Sequence, residues 1–163
     1  MLGGGYQRPV ERRIALNKIV LHGRKIHGGS AEGEALVTRN SLGGYGTFDL
    51  DTGNVIDVNH DLFGKNVKGK ILVFRTAQGS SAWTIAYQAL RFADQSPAGY
   101  IIKENNPQTA LGAVVARRPA ITDIDRDPTE VISTGDWVKI DADGGIIEIT
   151  PSRPGQKKRL TDP

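Results

Sequence analysis

Gly79-Ser80-Ser81 is where residue types and spacing in this 163-residue chain come nearest to chemistry. The triplet follows an apolar run, Ile71-Leu72-Val73-Phe74, and precedes a segment with helical spacing. A small-residue turn there lets a substrate approach the backbone, and a helix N-terminus stabilises a carboxylate, phosphate or enolate. A serine hydroxyl in that potential can exchange a proton. The same residues also suit plain helix capping, since serine accepts from a free backbone amide. Acyl transfer is poorly supported, because Ser81 and Ala82 follow Ser80 where a nucleophile elbow needs Gly-x-Ser-x-Gly.

Other motif-like stretches lead elsewhere. Gly64-Lys65-Asn66-Val67-Lys68-Gly69-Lys70 has P-loop spacing, but Ile71 stands where Ser or Thr is required and begins a strand instead of a helix. It reads as a basic turn. Asp57-Val58-Asn59-His60-Asp61 starts like an EF-hand loop, yet Leu62 and Lys68 occupy the positions that need Gly and Glu. His22, His27 and His60 have no spacing that would set two imidazoles on one helix face, and each reads as a packing or surface residue.

The elements that must position the serines follow from periodicity. Leu16–His22 and Glu34–Thr38 read as strands, with the glycines of 27–33 allowing a hairpin-like connection. Residues 40–61 form a long loop rich in Gly, Asp and Asn, of a length more often functional than idle. Ile71–Phe74 suits a strand buried on both faces. Ala82, Ile85, Ala86, Ala89, Leu90 and Ala93 recur at helical spacing, and Gly99–Ile102 supplies a second buried strand. The result is a parallel strand–helix–strand unit. Pro107 opens a helix to about Val115, Pro119–Ile121 is a short strand, and Trp137–Ile140 with Ile146–Ile149 flank a hairpin turn. The fold class is mixed α/β, strand-rich at both ends around the central unit. Residues 1–12 read as a flexible leader, 13–150 as the folded body and 151–163 as a flexible basic tail.

Composition narrows the functions. There is no cysteine, which excludes disulfides, thiolate zinc sites, cysteine nucleophiles and a cysteine-ligated iron–sulfur cluster within the chain. No apolar run reaches the length of a membrane helix, and no secretory signal region stands at the start, so a cytoplasmic location is expected. The net charge of +3 gathers at the ends, in Arg12, Arg13, Lys18, Arg24 and Lys25 and in Lys157, Lys158 and Arg159. Few aromatics are interleaved, so solvated ends are preferred to a nucleic-acid face. A basic binding module stays as the alternative class.

The body from about Gly23 to Ile147 resembles the aconitase X small subunit, or swivel domain. The resemblance is carried by Gly33-Glu34-Ala35-Leu36-Val37, Ser41-Leu42-Gly43-Gly44, Asp51-Thr52-Gly53, Val55-Ile56-Asp57, Gly69-Lys70-Ile71-Leu72-Val73, Gly79-Ser80-Ser81, residues 110–116 and Thr134-Gly135-Asp136, in order and spacing. It implies a swivelling β/β/α domain that closes over a larger, iron–sulfur-bearing subunit, with no cofactor bound by this chain. It implies a hydro-lyase acting on a hydroxylated carboxylic acid, inactive without that subunit. The first expectation is cis-3-hydroxy-L-proline and the alternative mevalonate 5-phosphate. Carried onto this sequence, the proton-abstracting base is Ser80, with Ser81 its nearest competitor. Gly43, Gly44, Gly79 and Ser81 fall around the substrate.

The chain departs from the family beside that serine. Trp83 stands where the family has glycine, Arg75 where it has proline, and Gln78 where it has a basic residue. The loop Tyr45-Gly46-Thr47-Phe48-Asp49 also differs. Arg75 either binds a substrate carboxylate through a bidentate contact or is solvated.

Overall fold

A computed structural model of the protein describes residues 17–152. The leader, 1–12, lies outside the described residues, as do 153–163 of the basic tail and the cations Arg12, Arg13, Lys157, Lys158 and Arg159.

Gly23 decides the architecture. It separates strand β1 (Ile19–His22) from strand β2 (Arg24–His27). β1 pairs antiparallel with β8 (Ile146–Thr150), whereas β2 pairs antiparallel with β6 (Ala120–Thr122). Between these edges the order is β8, β7 (Trp137–Asp141), β3 (Ser30–Val37), β4 (Ile71–Phe74), β5 (Gly99–Ile102) and β6. Both edges of the sheet are therefore halves of one bent strand, and the sheet closes on itself. Closure removes the unpaired edges that invite aggregation. β3 makes a second corner: Ser30–Glu34 pair with β7 and Ala35–Val37 with β4. Glycine serves at the first corner because a Cβ on Gly23 would sit 2.6 Å from Ile121 Cγ2 and 2.7 Å from the Thr122 carbonyl.

The parallel unit forms as the pattern predicts. β4 and β5 run parallel, joined through helix α1 (Ala82–Phe92), and β6 follows helix α2 (Pro107–Ala116). Alternation along β4 splits the core in two. Ile71 and Val73 face the closed interior with Leu21, Ile101, Val138 and Ile147, and Leu72 and Phe74 face the helices with Trp83, Tyr87 and Leu90. The hairpin at 141–145 joins β7 and β8 as expected. A one-turn helix α3 (Pro128–Val131), capped by Asp127, was not signalled by periodicity because it is too short to show any.

Two expectations change. The segment at 34–38 does not pair back on the first strand, because the bend at Gly23 carries the chain across to β6. The buried stripe of α1 is Trp83, Ala86, Tyr87 and Leu90, while Ile85 is exposed. The helix is rotated so that its two aromatics are buried, which removes more apolar area from water than Ile85 and Ala89 would.

Burial raises the ionisation of Tyr87 well above the usual phenol range and raises that of Tyr100 as well. The unfolded chain loses these protons near pH 10, whereas the folded chain keeps them. Stability is expected to be full below about pH 10 and to fall as pH rises beyond it. Denaturant titrations at stepped pH, with tyrosinate absorbance followed alongside, check this. Stability that holds while both buried tyrosines ionise would contradict it. Gly23→Ala is expected to cost about 1–3 kcal/mol through overpacking at the corner, read as a lowered denaturant midpoint.

Candidate active site

The parallel ladder between β3 and β4 continues past both strands and builds the site. Thr38 N donates to Val73 O at 2.9 Å, Leu42 N to Thr76 O at 3.0 Å and Gln78 N to Leu42 O at 2.7 Å. The chain after β3 and the chain after β4 thus leave side by side from the carboxyl ends of parallel strands, where α/β sheets commonly receive ligands. Asn106, which caps α2 in a reciprocal box with Thr109, also donates from Nδ2 to Ala77 O at 3.0 Å. That bond ties the start of α2 to the serine turn.

Trp83 pins the walls together. Its Nε1 donates to the Leu42 carbonyl at 2.9 Å, its ring stacks on Tyr87 at a centroid distance of 3.7 Å, and Gly112 leaves the space that the ring fills. Gly44 passes so close to α1 that a Cβ would lie 2.7 Å from Trp83 Cα. The departure at Trp83 is therefore a buried packing anchor, 2% exposed, with only its edge at the site.

These contacts enclose a cleft of about 380 Å³. Ser80, Gly79, Gly43 and Gly44 all line it, together with Ser41, Tyr45, Thr47, Asp57, His60 and Gln78. Gly79 adopts φ +103°, a conformation that favours glycine, and so turns the exposed Ser80 toward the opening. Ser80 Oγ accepts from Ala82 N at 3.3 Å. Ser81 occupies the N-cap position of α1 in helical conformation, but its side chain makes no capping bond and does not line the cleft. Arg75 stands apart as well, with Nε 3.1 Å from Glu104 Oε1 and its side chain half exposed.

His60 and Asp57 are members that sequence reasoning missed. The His60 ring is nearly buried. Its Nε2 faces the Ser41 carbonyl at 3.2 Å and donates to it, and its Nδ1 lies 3.1 Å from both Leu62 N and Asp61 Oδ1. The ring thereby holds the far end of the 40–61 loop against the wall at Ser41. Thr38 Oγ1 reinforces this by donating to Asp61 at 2.8 Å. The only sequence signal was the polar cluster 57–61, whose EF-hand-like start is not completed at Leu62 and Lys68. Among the described residues no group of three or more His, Cys, Asp or Glu is placed to hold a metal ion. No lining residue is Lys or Arg. What the cleft offers is hydroxyls, an imidazole, an amide and one carboxylate.

A second depression of about 420 Å³ lies over the outer face of β3, β7 and β8. Three of its charged side chains are held in ion pairs, Lys139 with Glu32 at 3.2 Å and Glu148 with Lys18 at 3.4 Å, while Asp141 accepts from Gly144 N. It offers no comparable hydroxyl turn.

The aconitase X swivel domain profile matches residues 20–149. The chain belongs to the aconitase X swivel domain family. The phosphomevalonate dehydratase small subunit of Methanosarcina mazei is 36% identical over 141 residues, covering 86% of this chain and 98% of that protein. The subunit of the same name from Thermococcus kodakarensis is 38% identical over 129 residues, covering 79% and 95%. The crystal structure of Thermococcus kodakaraensis aconitase X in its holo-form superposes with a TM-score of 0.77 at 37% identity, over 82% of this chain and 99% of that one. A solution NMR structure of a UPF0107 protein matches with a TM-score of 0.72 at 34% identity, over 82% and 100%. In this swivel domain the Gly79–Ser80 turn and the Gly43–Gly44 loop meet across one cleft.

Trp83→Phe removes one of the two donors to the buried Leu42 carbonyl. Because the phenyl ring keeps much of the packing, the expected cost is about 1–3 kcal/mol. Chemical denaturation measures it, and an unchanged midpoint would show that the indole N–H is not what holds the loop.

Proposed function

We propose that this chain is the small subunit of an aconitase X-type hydro-lyase that dehydrates mevalonate 5-phosphate together with a separate large subunit. The observation that carries the reading is the cleft that joins Ser80 and Gly79 to Gly43 and Gly44 in a chain matching phosphomevalonate dehydratase small subunits over nearly their whole length. Neither relative named above carries cis-3-hydroxy-L-proline in its name, so the phosphorylated acid replaces it as the preferred substrate.

Dehydration of a 3-hydroxy acid takes a proton from the carbon beside the carboxylate. The C–H electron pair becomes the double bond, and the hydroxyl on the next carbon takes a proton from an acid on the large subunit's side of the site and leaves as water. In this reading Ser80 Oγ acts in its deprotonated, alkoxide form and becomes the hydroxyl on receiving the proton. The N-terminus of α1 begins two residues later, and its partial positive charge stabilises negative charge on that oxygen. Gly79 and Gly44 keep the approach clear of side chains. The cation-free lining leaves the carboxylate and phosphate to be neutralised by the large subunit. Nor do the residues here suit an iron–sulfur cluster, since the chain has no cysteine and its described residues form no ligand group. We assign that cluster to the large subunit.

A basic binding module fits the surface less well. Arg24, Lys25, Arg75, Lys103 and Lys139 each lie within 3.2 Å of a carboxylate oxygen, which neutralises them locally.

The test uses the complex co-purified with its large subunit and follows formation of the unsaturated acid from mevalonate 5-phosphate. Ser80→Ala is expected to lower kcat by about 10²–10⁴-fold with the complex intact, while Ser81→Ala keeps the rate. Full activity of Ser80→Ala removes Ser80 as the base. Turnover of cis-3-hydroxy-L-proline with none of mevalonate 5-phosphate overturns the substrate.

A further inference from the structure

Two consecutive carbonyls on the glycine wall are gripped from two directions. Ser41 O accepts from His60 Nε2 at 3.2 Å, and Leu42 O accepts from Gln78 N and Trp83 Nε1. Gly43 and Gly44 follow at once. Glycine is the least restricted residue in backbone conformation, so two in succession do little to fix their own course. That course is set by the grips before them and by the turn after them, where Thr47 N donates to Gly44 O at 3.2 Å.

His60 is well placed for its share of this work. It stands on a loop and lines the cleft, yet its side chain is only 8% exposed. A carbonyl oxygen only accepts, so Nε2 carries hydrogen whenever the bond to Ser41 is made. The neutral ring then accepts from Leu62 N at Nδ1, and the imidazolium donates from Nδ1 to Asp61 Oδ1; both partners lie at 3.1 Å. In either state Nε2 keeps its hydrogen on Ser41. Asp61 in turn accepts from Thr38 Oγ1 at 2.8 Å and 2.9 Å, and Thr38 N donates to Val73 O on the parallel ladder. An unbroken support therefore runs from the ladder through Thr38, Asp61 and His60 to Ser41. A histidine serving only its own loop would be satisfied by Leu62 and Asp61. The Nε2 bond reaches back nineteen residues to the wall.

We propose that His60 is a positioning residue for proton transfer at Ser80, acting through the Ser41 carbonyl to fix Gly43 and Gly44 across the cleft from that hydroxyl. This deepens the dehydratase reading above and rests on it. Both ring nitrogens are engaged by Ser41, Leu62 and Asp61, so the ring takes no proton from Ser80 or from the substrate. In that reading the large subunit holds the two anionic groups. A loosened wall then disturbs alignment at the reacting carbon more than it disturbs substrate affinity. Misplacing reacting groups by about 1 Å costs about 10²-fold in rate.

Asn and Gln at position 60 separate the grip on the wall from the shaping of the loop. Asn is short: its Oδ1 still accepts from the amide two residues on, Leu62 N, but its own amide does not reach Ser41. Gln is longer and carries its Nε2 toward the place of the imidazole Nε2. His60→Asn and His60→Gln are each co-purified with the large subunit, and initial rates are measured on mevalonate 5-phosphate. Each full-length variant is also melted to confirm that it folds, and amide hydrogen exchange is followed at Leu42 and Thr47. His60→Asn is expected to lower kcat by about 10- to 100-fold with KM little changed, and to speed exchange at both amides. His60→Gln is expected to restore most of the rate and of the protection. An Asn variant with the full rate, or a Gln variant as slow as the Asn one, overturns the proposal. So does a raised KM at unchanged kcat, which would make His60 a substrate-binding group. If the unaltered complex does not dehydrate mevalonate 5-phosphate, the dehydratase reading falls instead. Exchange then decides the grip by itself, and equal exchange in the two variants overturns it.

Discussion

The carbonyl oxygen of Leu42 accepts two hydrogen bonds, from Gln78 N at 2.7 Å and Trp83 Nε1 at 2.9 Å, and the functional side of the domain hangs on that shared acceptor. The first bond extends the parallel ladder of β3 and β4 beyond the strands. The second fastens the same point to the helix that begins after the serine turn. Leu42 is itself fully buried, so neither donor competes with water. Through this atom the loop bearing Gly43 and Gly44 and the turn bearing Gly79 and Ser80 become two walls of one cleft. Losing either donor loosens one wall against the other.

Behind that pin stands a closed sheet with two separate cores. The interior core is aliphatic and holds the strands in register. The core under the helices is aromatic, with Phe48 edge-on to Tyr87, Tyr87 stacked on Trp83 and Trp83 tilted against Phe74. The aromatic core reaches the cleft, because Phe48 belongs to the glycine loop and Trp83 to the serine helix. Packing between the loop and the helix therefore sets the width of the opening. The interior core supplies the rigid floor from which both depart.

The charge pattern agrees with a shared site. Among the described residues Arg24, Lys25, Arg75, Lys103 and Lys139 are held in local ion pairs, and the cleft lining has one carboxylate and no Lys or Arg. Such a half-site suits the part of a substrate where a proton leaves, not the part where anionic charge is held. On the function proposed above, the chain contributes the proton acceptor and a shaped wall, and the remaining electrostatics lie with the large subunit.

Much was determined by sequence alone. Period-two and period-3.6 patterns located β4, α1, β5, α2 and the final hairpin, since each buries a regular stripe whatever its partners. The family motifs brought Gly43, Gly44, Gly79 and Ser80 into view, and the missing cysteines already excluded a thiolate-held cluster here. Tertiary structure decided what depends on distant partners. The course of the first strand turned on Gly23, whose neighbours Ile121 and Thr122 are about a hundred residues away. The rotation of α1 was set by a ring that needed the Leu42 carbonyl and the space at Gly112. His60 and Asp57 carried no periodic signal and only an uncompleted EF-hand-like spacing, because a loop side chain acquires its place from whichever backbone group it meets. Arg75 shows the converse: its type and position suggested a substrate contact, and a carboxylate on the next strand's exit, Glu104, took it instead. Local patterns record which face is buried, and only the closed fold records what each face is buried against.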